Sequence, residues 1–306
     1  MTAPDVSIII VSWNTRDLLR DCLRAVEGSA GTATEMIVVD NASSDGSATM
    51  VRAEFPGVRT IENPGNRGFA KACNQGLTVA RGRYRMLLNS DTRVNPDALA
   101  RLVAFMDAHP RAGACGPQLR HFDGTLQPSG RAFPTLLAAV IAITPVPMWV
   151  RRVTADRFER RDYSRACEVD ELTGAALCLR GEALDQVGVL DEDFFFFGED
   201  VDLCWRLHKA GWTVTYLPEA LVLHGWGGSR GKVRERTSLL IQRAYVLLMR
   251  KHRPGLAPAV VTALSFVLTL LKAVRRALPA WARGGPRAAL ASLRVHRDEL
   301  FWLCAR

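Results

Sequence analysis

The stretch Val6-Ser-Ile-Ile-Ile-Val-Ser-Trp-Asn14 is a β-branched run that stops at a polar turn. Such a run predicts a short strand buried on both faces. Outward from it, Arg16 to Val26 carries Leu18, Leu19, Leu23 and Val26 at helical spacing. The alternation then repeats. Met36–Val39 predicts a second strand, and Ser44-Asp-Gly-Ser47 supplies turn residues and an N-cap for a helix over Ala48–Phe55. Val58–Ile61 and Tyr84–Leu88 predict two more strands, Gly68–Ala80 and Pro96–Ala108 two more helices. Strands alternating with helices imply an α/β fold with a doubly wound parallel sheet.

Ligands of such sheets bind outside the carboxyl ends of the strands. Four polar clusters fall at those ends: Ser12–Asn14, Asp40-Asn41, Asn63–Asn66 and Asn89-Ser-Asp91. They converge on one crevice. The first turn, Ser12-Trp-Asn-Thr15, contains no glycine, which argues against the GxGxxG dinucleotide fingerprint, and no GxxxxGK[ST] follows either.

After Gly113 the pattern changes to short strands and turns, as in a mixed sheet, up to about Leu223. Pro134–Val150 is apolar but interrupted by Pro134, Pro145 and Pro147, so it reads as a capping or membrane-resting loop rather than a straight helix. Leu256–Leu271 is a second apolar run, 16 residues long and followed by Lys272, Arg275 and Arg276. A spanning helix needs about 20 apolar residues. The run therefore reads as an interfacial or packed amphipathic helix.

Charge divides the 306 residues unevenly. From Arg230 to Arg306 there are 16 Lys/Arg and 3 Asp/Glu, a net of +13 out of the chain's +9, so the remainder is acidic at −4. A basic tail on an acidic body points to an anionic partner. The tail interleaves Leu, Ala and Val with its cations rather than aromatics, which favours a membrane or protein over nucleic acid. The seven cysteines are odd in number and form no CxxC, arguing against a disulfide framework and a zinc site. Reducing cytoplasm suits them.

Three further features carry candidate chemistry. Asp40 ends a strand, where a carboxylate can accept from a base N–H or a ribose hydroxyl, or can cap the turn that follows. Asp91 ends another strand, placed to ligate Mg²⁺ or Mn²⁺, hard cations that take oxygen ligands and substrate phosphates. Phe194-Phe-Phe-Phe-Gly-Glu-Asp-Val-Asp202 runs four aromatics into three acids. Apolar neighbours desolvate a carboxylate and raise its pKa toward that of a general base. Acids also favour a helix N-terminus, and Val201, Leu203 and Leu207 predict a helix from this cluster to near Gly211. His224 ends the run Ala220–Leu223, before Gly225-Trp-Gly-Gly-Ser, where a histidine can serve structure or ligate a metal.

Five segments occur in order: Val6–Asn14, Val38–Ser47, Asn63–Asn74, Leu87–Thr92 and Gly198–Arg206. Together they resemble family 2 glycosyltransferases of the GT-A fold, most nearly the bacterial rhamnosyltransferase-like branch, from about Val6 to Ser229. The resemblance implies a GT-A domain over 1–229. Its nucleotide-binding half is 1–112 and its acceptor and catalytic half, with a smaller mixed sheet, is 113–229. A basic helical segment over 230–306 follows and is membrane-associated.

The resemblance also assigns roles. Asp40 matches the residue that reads the pyrimidine base, with Asn41 beside it and Ser12 and Asn14 lining the nucleoside pocket. Asn66, Gly68, Phe69 and Asn74 belong to the segment that closes over nucleoside and diphosphate. Asn89-Ser90-Asp91 matches the DxD motif, with Asn in its first position, Asp91 as metal ligand and His224 completing the metal site. Asp200 matches the catalytic base, with Glu199 next to it. The implied reaction is a metal-dependent inverting transfer. Its donor would be a nucleotide-sugar, dTDP-L-rhamnose first and UDP- or GDP-sugars as alternatives. Its acceptor would be a saccharide on a polyprenyl diphosphate at the inner membrane face, in cell-surface polysaccharide synthesis. A nucleotide-sugar-binding scaffold without catalysis is the other reading.

Overall fold

The computed structural model describes residues 3–147, 162–225 and 234–305. The first half follows the alternation closely. β1 (Val6–Ser12), α1 (Arg16–Glu27), β2 (Thr34–Asp40), α2 (Ser47–Glu54), β3 (Arg59–Glu62), α3 (Phe69–Val79) and β4 (Tyr84–Asn89) succeed one another. β5 (Thr92–Val94) and α4 (Ala98–Ala108) come next. The strands β3, β2, β1 and β4 pair in parallel, with Ser12 opposite Asp40 and Val11 opposite Asn89.

This sheet is covered on both faces, which explains why β1 is an unbroken apolar run. Ile8 and Ile10 point to one core with Leu19, Leu23, Met50 and Leu102 of α1, α2 and α4. Ile9 points to the other with Ala72, Cys73 and Leu77 of α3. All three isoleucines are fully buried, each stabilising the fold by roughly 1.5–3 kcal/mol. Gly76 lets α3 lie close, since a Cβ there would collide with Cγ2 of Ile9.

The second half extends the same sheet rather than starting another. β6 (Ala112–Arg120), β7 (Leu126–Gln127), β8 (Gly130–Arg131), α5 (Leu136–Ile143), β9 (Cys167–Glu168), β10 (Glu171–Leu172), β11 (Ala176–Arg180), α6 (Gly181–Val187), α7 (Glu199–Lys209) and β12 (Thr213–His224) follow. The strand order is β3-β2-β1-β4-β11-β6-β12-β5, with β7 on β6 and β9 on β12, while β10 and β8 make a separate two-stranded ribbon. β11 runs antiparallel to both β4 and β6, so the sheet is mixed.

Contacts divide the chain into two units. One holds residues 1–133 and 155–234, the other 134–154 and 235–306. In the second, α8 (Arg234–His252) and α9 (Ala257–Ala305) accompany α5. Two expectations change here. The apolar stretch after Pro134 is not all loop: Thr135 caps a helix, its Oγ1 accepting from the Ala138 N–H at 3.2 Å, and α5 fits between Pro134 and Pro145. Met148 to Val150 lie outside the described residues. The apolar run at 256–271 continues helical past its cations, through Arg283, to a break at Gly285, where φ is 68°. Pro279 does not stop it.

Candidate active site

The first cluster is built where β1 and β2 stop, at the residues expected to hold a nucleoside. The Asn41 N–H donates to the Ser12 carbonyl at 2.8 Å, and the Asn63 N–H to the Asp40 carbonyl at 2.9 Å, so three strand ends are tied together. Asp40 is buried; its Oδ2 accepts from the Ser43 N–H at 2.9 Å, while its Oδ1 is buried and has no partner among the described residues. A buried acceptor of this kind is costly unless a ligand donor meets it. Asn14, at φ 55°, braces the facing loop: its Oδ1 accepts from the Ser44 N–H at 2.7 Å, and its N–H donates to Ser43 Oγ at 2.9 Å. Ser12 Oγ stands 3.0 Å from Thr15 Oγ1, which stands 2.8 Å from Ser90 Oγ.

The 63–69 loop is held by its own amides. Asn41 Nδ2 donates to Asn66 Oδ1 and to the Gly68 carbonyl, both at 3.1 Å, and Asn41 Oδ1 accepts from the Arg67 N–H at 2.9 Å. Asn63 and Gln75 exchange two side-chain hydrogen bonds at 2.9 Å. Gly68 sits at φ 86°, and a Cβ there would meet the Phe195 carbonyl oxygen at 2.6 Å. That carbonyl accepts from the Phe69 N–H at 2.7 Å. Phe69 meets Phe196 edge to face. Asn74 is engaged elsewhere: its amide donates to the Leu190 carbonyl and Glu192 Oε1 and accepts from the Leu190 N–H. Asn41, Asn66 and Asn74 are thus positioning groups that shape loops.

The second end forms where β4 gives way to β5. β5 pairs antiparallel with the last residues of β12, and His224 faces Thr92 in that register. The Gly225 N–H donates to the Asp91 carbonyl at 2.8 Å. The short β5 thereby sets His224 against Asp91, with Nε2 3.3 Å from Asp91 Oδ1. Asn89 Nδ2 lies 3.3 Å from the same Nε2, and Gln127 Oε1 lies 3.0 Å from Nδ1. One tautomer satisfies both neighbours, with the proton on Nδ1 and the Nε2 lone pair turned toward Asp91. A carboxylate oxygen and an imidazole lone pair facing one another at this distance suit a divalent cation. Among the described residues no third His, Cys, Asp or Glu joins them, so further oxygens would come from a diphosphate. Trp226 to Ser229, which follow His224 and Gly225, lie outside the described residues.

The third end is the start of α7. Phe197 and Gly198 both take left-handed backbone, φ 73° and 89°, which turns the chain sharply into the helix. Asp200 is half-buried; its Oδ2 accepts from the Gly174 N–H at 2.8 Å and its Oδ1 from the Val201 N–H at 2.9 Å. Burial pushes its pKa up, while those two N–H groups and Arg131 work against the shift. Glu199 is buried more deeply, and its Oε2 has no partner among the described residues. Burial first, and then the charge of Asp200, hold its pKa well above the carboxylate range. The two acids are therefore unequal: both are pushed up by burial, but only Asp200 has backbone N–H groups that favour its charged form.

Gly174 connects this end to the others. Its neighbour Ala175 accepts at its carbonyl from the Asn89 N–H at 2.9 Å. The Asp200 carboxylate and the Asn89–Asp91 turn are consequently fixed to one short segment. A Cβ at Gly174 would sit in ordinary contact with Asp200, 3.5 Å from its Cβ and Oδ2. Reasoning from sequence missed Gly174, Ala175, Thr15, Arg131 and Gln127. Thr15 closes the Ser12–Thr15 turn already noted in the sequence; the other four lie in segments with no visible pattern, and register alone brings them in.

A model of the family "Glycosyl transferase family 2" matches residues 7–188. The chain belongs to glycosyltransferase family 2. A relative from Mycobacterium tuberculosis, N-acetylglucosaminyl-diphospho-decaprenol L-rhamnosyltransferase, is 31% identical over 263 residues, covering 80% of this chain and 84% of that protein. It supports the rhamnosyltransferase-like branch of the family. Poly-beta-1,6-N-acetyl-D-glucosamine synthase of Staphylococcus epidermidis is 25% identical over 71% of this chain, which spans 48% of that protein. Among solved structures, a mannosyltransferase from Pyrobaculum calidifontis with GDP-Man and Mn²⁺ matches 99% of this chain and 85% of its own, with a TM-score of 0.58 and 20% identity. S. aureus TarS matches 85% of this chain and 42% of its own at TM-score 0.55 and 16% identity. These likenesses support the GT-A fold. The protein is accordingly a GT-A glycosyltransferase, and the two strand-end clusters with the start of α7 are the candidate site of this family 2 member.

Proposed function

We propose that this glycosyltransferase moves L-rhamnose from dTDP-L-rhamnose, with inversion, onto a saccharide carried on a polyprenyl diphosphate. The reaction would take place at the cytoplasmic face of the membrane, in cell-surface polysaccharide synthesis. The observation that carries the transfer reading is Asp200, a carboxylate aimed by the Gly174 and Val201 N–H groups and tied through Ala175 to the Asn89–Asp91 turn. The named substrate of the mycobacterial relative supports the sugar and the lipid-linked acceptor. The open Oδ1 of Asp40 suits the imide N–H of a pyrimidine.

The acceptor hydroxyl gives its proton to Asp200. Its oxygen attacks the anomeric carbon from the face opposite the nucleotide. The new C–O bond forms as the bond to the diphosphate oxygen breaks, and dTDP leaves with the bonding pair. Glu199, whose carboxyl is raised by burial and by the Asp200 charge and lacks the two N–H donors that Asp200 has, leaves Asp200 as the base. One displacement at one base differs from the paired carboxylates of retaining hydrolases. Asp91 and His224 fit a divalent cation, Mg²⁺ or Mn²⁺, which when bound would neutralise charge growing on the diphosphate. Asp40 and the 63–69 loop hold the nucleoside.

The test is transfer by Asp200→Asn to a short water-soluble N-acetylglucosaminyl-diphosphate acceptor, beside donor binding measured with dTDP-, UDP- and GDP-sugars. The variant is expected to lose roughly 10²–10⁴-fold in kcat while binding dTDP-rhamnose normally. Near-normal turnover in the variant sinks the assignment of the base. Preference for another nucleotide sinks the donor.

A further inference from the structure

Beyond the catalytic unit, we propose that α9 carries the surface on which this protein docks to an anionic bilayer, lying in the headgroup plane. The inference rests on the lipid-linked acceptor only for its biological setting.

Most of the exposed large apolar side chains among the described residues belong to the second unit. On α9, Val260, Val267, Leu271, Val274 and Leu278 are all exposed, and Trp281 follows. At 100° per residue those five positions fall within an arc of about 60°, with Trp281 one turn beyond Leu278. The exposed residues thus form a continuous stripe along the helix. An apolar groove lined by Ala259, Ala263, Phe266 and Leu303 runs beside it.

The opposite face of the same helix is inverted in character. Val261, Ser265, Thr269 and Ala273, four residues apart, are buried. Thr269 Oγ1 donates to Oε1 of the buried Gln242 of α8 at 3.4 Å. Nearby in the same unit, the buried Glu299 pairs with Arg243 Nε at 2.7 Å, and the Arg243 guanidinium lies over the Trp302 ring. Polar groups inside and apolar groups outside are the arrangement of a surface made for hydrocarbon rather than water.

Charge identifies the occupant. The segment from Arg230 carries a net +13. Arg275, Arg276 and Arg283 are exposed on α9 outside the stripe. Arg275 falls about 40° from the edge of the stripe, and a cation beside an apolar stripe that ends in Trp is the pattern of a helix lying in an anionic interface. Residues 257–283 are long enough to cross a membrane, and an 18-residue window within them reaches a mean hydropathy of 1.9. Ser265, Thr269, Lys272, Arg275 and Arg276 on the other faces favour lying over crossing, because a spanning helix is apolar all round.

Flotation of the full chain with vesicles of phosphatidylcholine, alone or with phosphatidylglycerol, reads this surface without donor or acceptor. Expected is strong binding to anionic vesicles. A drop in partition of about tenfold or more is expected for Val267→Asp/Leu271→Glu, and about fivefold on anionic vesicles for Arg275→Gln, which removes one charge. Val189→Glu, an exposed apolar site of the other unit, should float like the parent, and circular dichroism should show unchanged helicity throughout. No flotation of the parent overturns the proposal. So does unchanged partition of the stripe variant, or a concentration-dependent dimer that the stripe variant dissociates in a chain that ignores vesicles. Transfer to the water-soluble acceptor, measured in parallel, reports on the reaction alone, so that either reading can fail without the other.

Discussion

The Oε1 of Gln127 lies 3.0 Å from the Nδ1 of His224. This contact joins β7, a strand of two residues, to the last residue of β12. It places the imidazole proton on the side away from Asp91 and turns Nε2 toward the carboxylate. Partners of this type orient metal-binding histidines, and their loss typically weakens metal binding by roughly 10–100-fold.

Gln127→Leu should therefore bind Mn²⁺ about 10–100-fold more weakly in the presence of dTDP. The direct readout is titration followed by the electron paramagnetic resonance of free Mn²⁺. Thermal stability without donor should fall as well, by about 1–3 kcal/mol, because the buried Nδ1–H loses its acceptor, so the metal titration and not the Tm reads the prediction. Parent-like Mn²⁺ affinity in this variant would remove Gln127 from the site.

Asp40 makes a second, separate prediction. With Oδ2 taken by Ser43 and Oδ1 open to a ligand, Asp40→Ala removes one charge-assisted hydrogen bond to the nucleoside. A loss of about 1.5–3 kcal/mol is expected, roughly 10–100-fold in the Kd of dTDP by calorimetry. Inorganic diphosphate, which has no base, should bind the variant and the parent alike. An equal loss for both ligands would mean that the loop, not the base contact, had been damaged.

Glu199 yields a prediction about pH. In the unfolded chain this side chain ionises at about pH 4.3. In the folded protein burial and the Asp200 charge keep it protonated well above that. Above about pH 4 the native state binds the extra proton, so its contribution to stability falls as pH rises toward the folded pKa. Glu199→Gln cannot ionise. It should melt higher than the parent at about pH 8, with the gap closing as pH is lowered to about 4. A gap that widens toward acid would show the sign to be wrong.

Gly68 tests the loop that closes the nucleoside end. Its positive φ and the Phe195 carbonyl oxygen 2.6 Å from a would-be Cβ leave no room for a side chain. Gly68→Ala should lose about 1–3 kcal/mol, read as a lower Tm, and should bind dTDP-sugars more weakly. Gly57→Ala, where a Cβ meets nothing within 4 Å, is the control. A Gly68 variant that melts and binds like the parent would show that the 63–69 loop tolerates displacement from Phe195.

Sequence and tertiary structure contributed different things. The alternation from Val6 to Ala108 was legible because each element repeats its own period over enough residues to be seen, and the crevice at the strand ends followed from it. Asp40, Asp91, Asp200 and His224 stood out as polar residues ending apolar runs, or as acids beside aromatics. What only the fold decided are relationships across long separations. β5, three residues long, has no period to read, yet its pairing with β12 sets His224 beside Asp91. Gln127, Gly174 and Ala175 carry no motif and become part of the site through register alone. The same limit applies to α9. Its apolar composition was visible, but its extension beyond the cations to Arg283, and the burial of Ser265 and Thr269 opposite an exposed Val and Leu stripe, depend on what packs against each face. Local periodicity is written in neighbouring residues, whereas which face meets a partner is set by the rest of the chain.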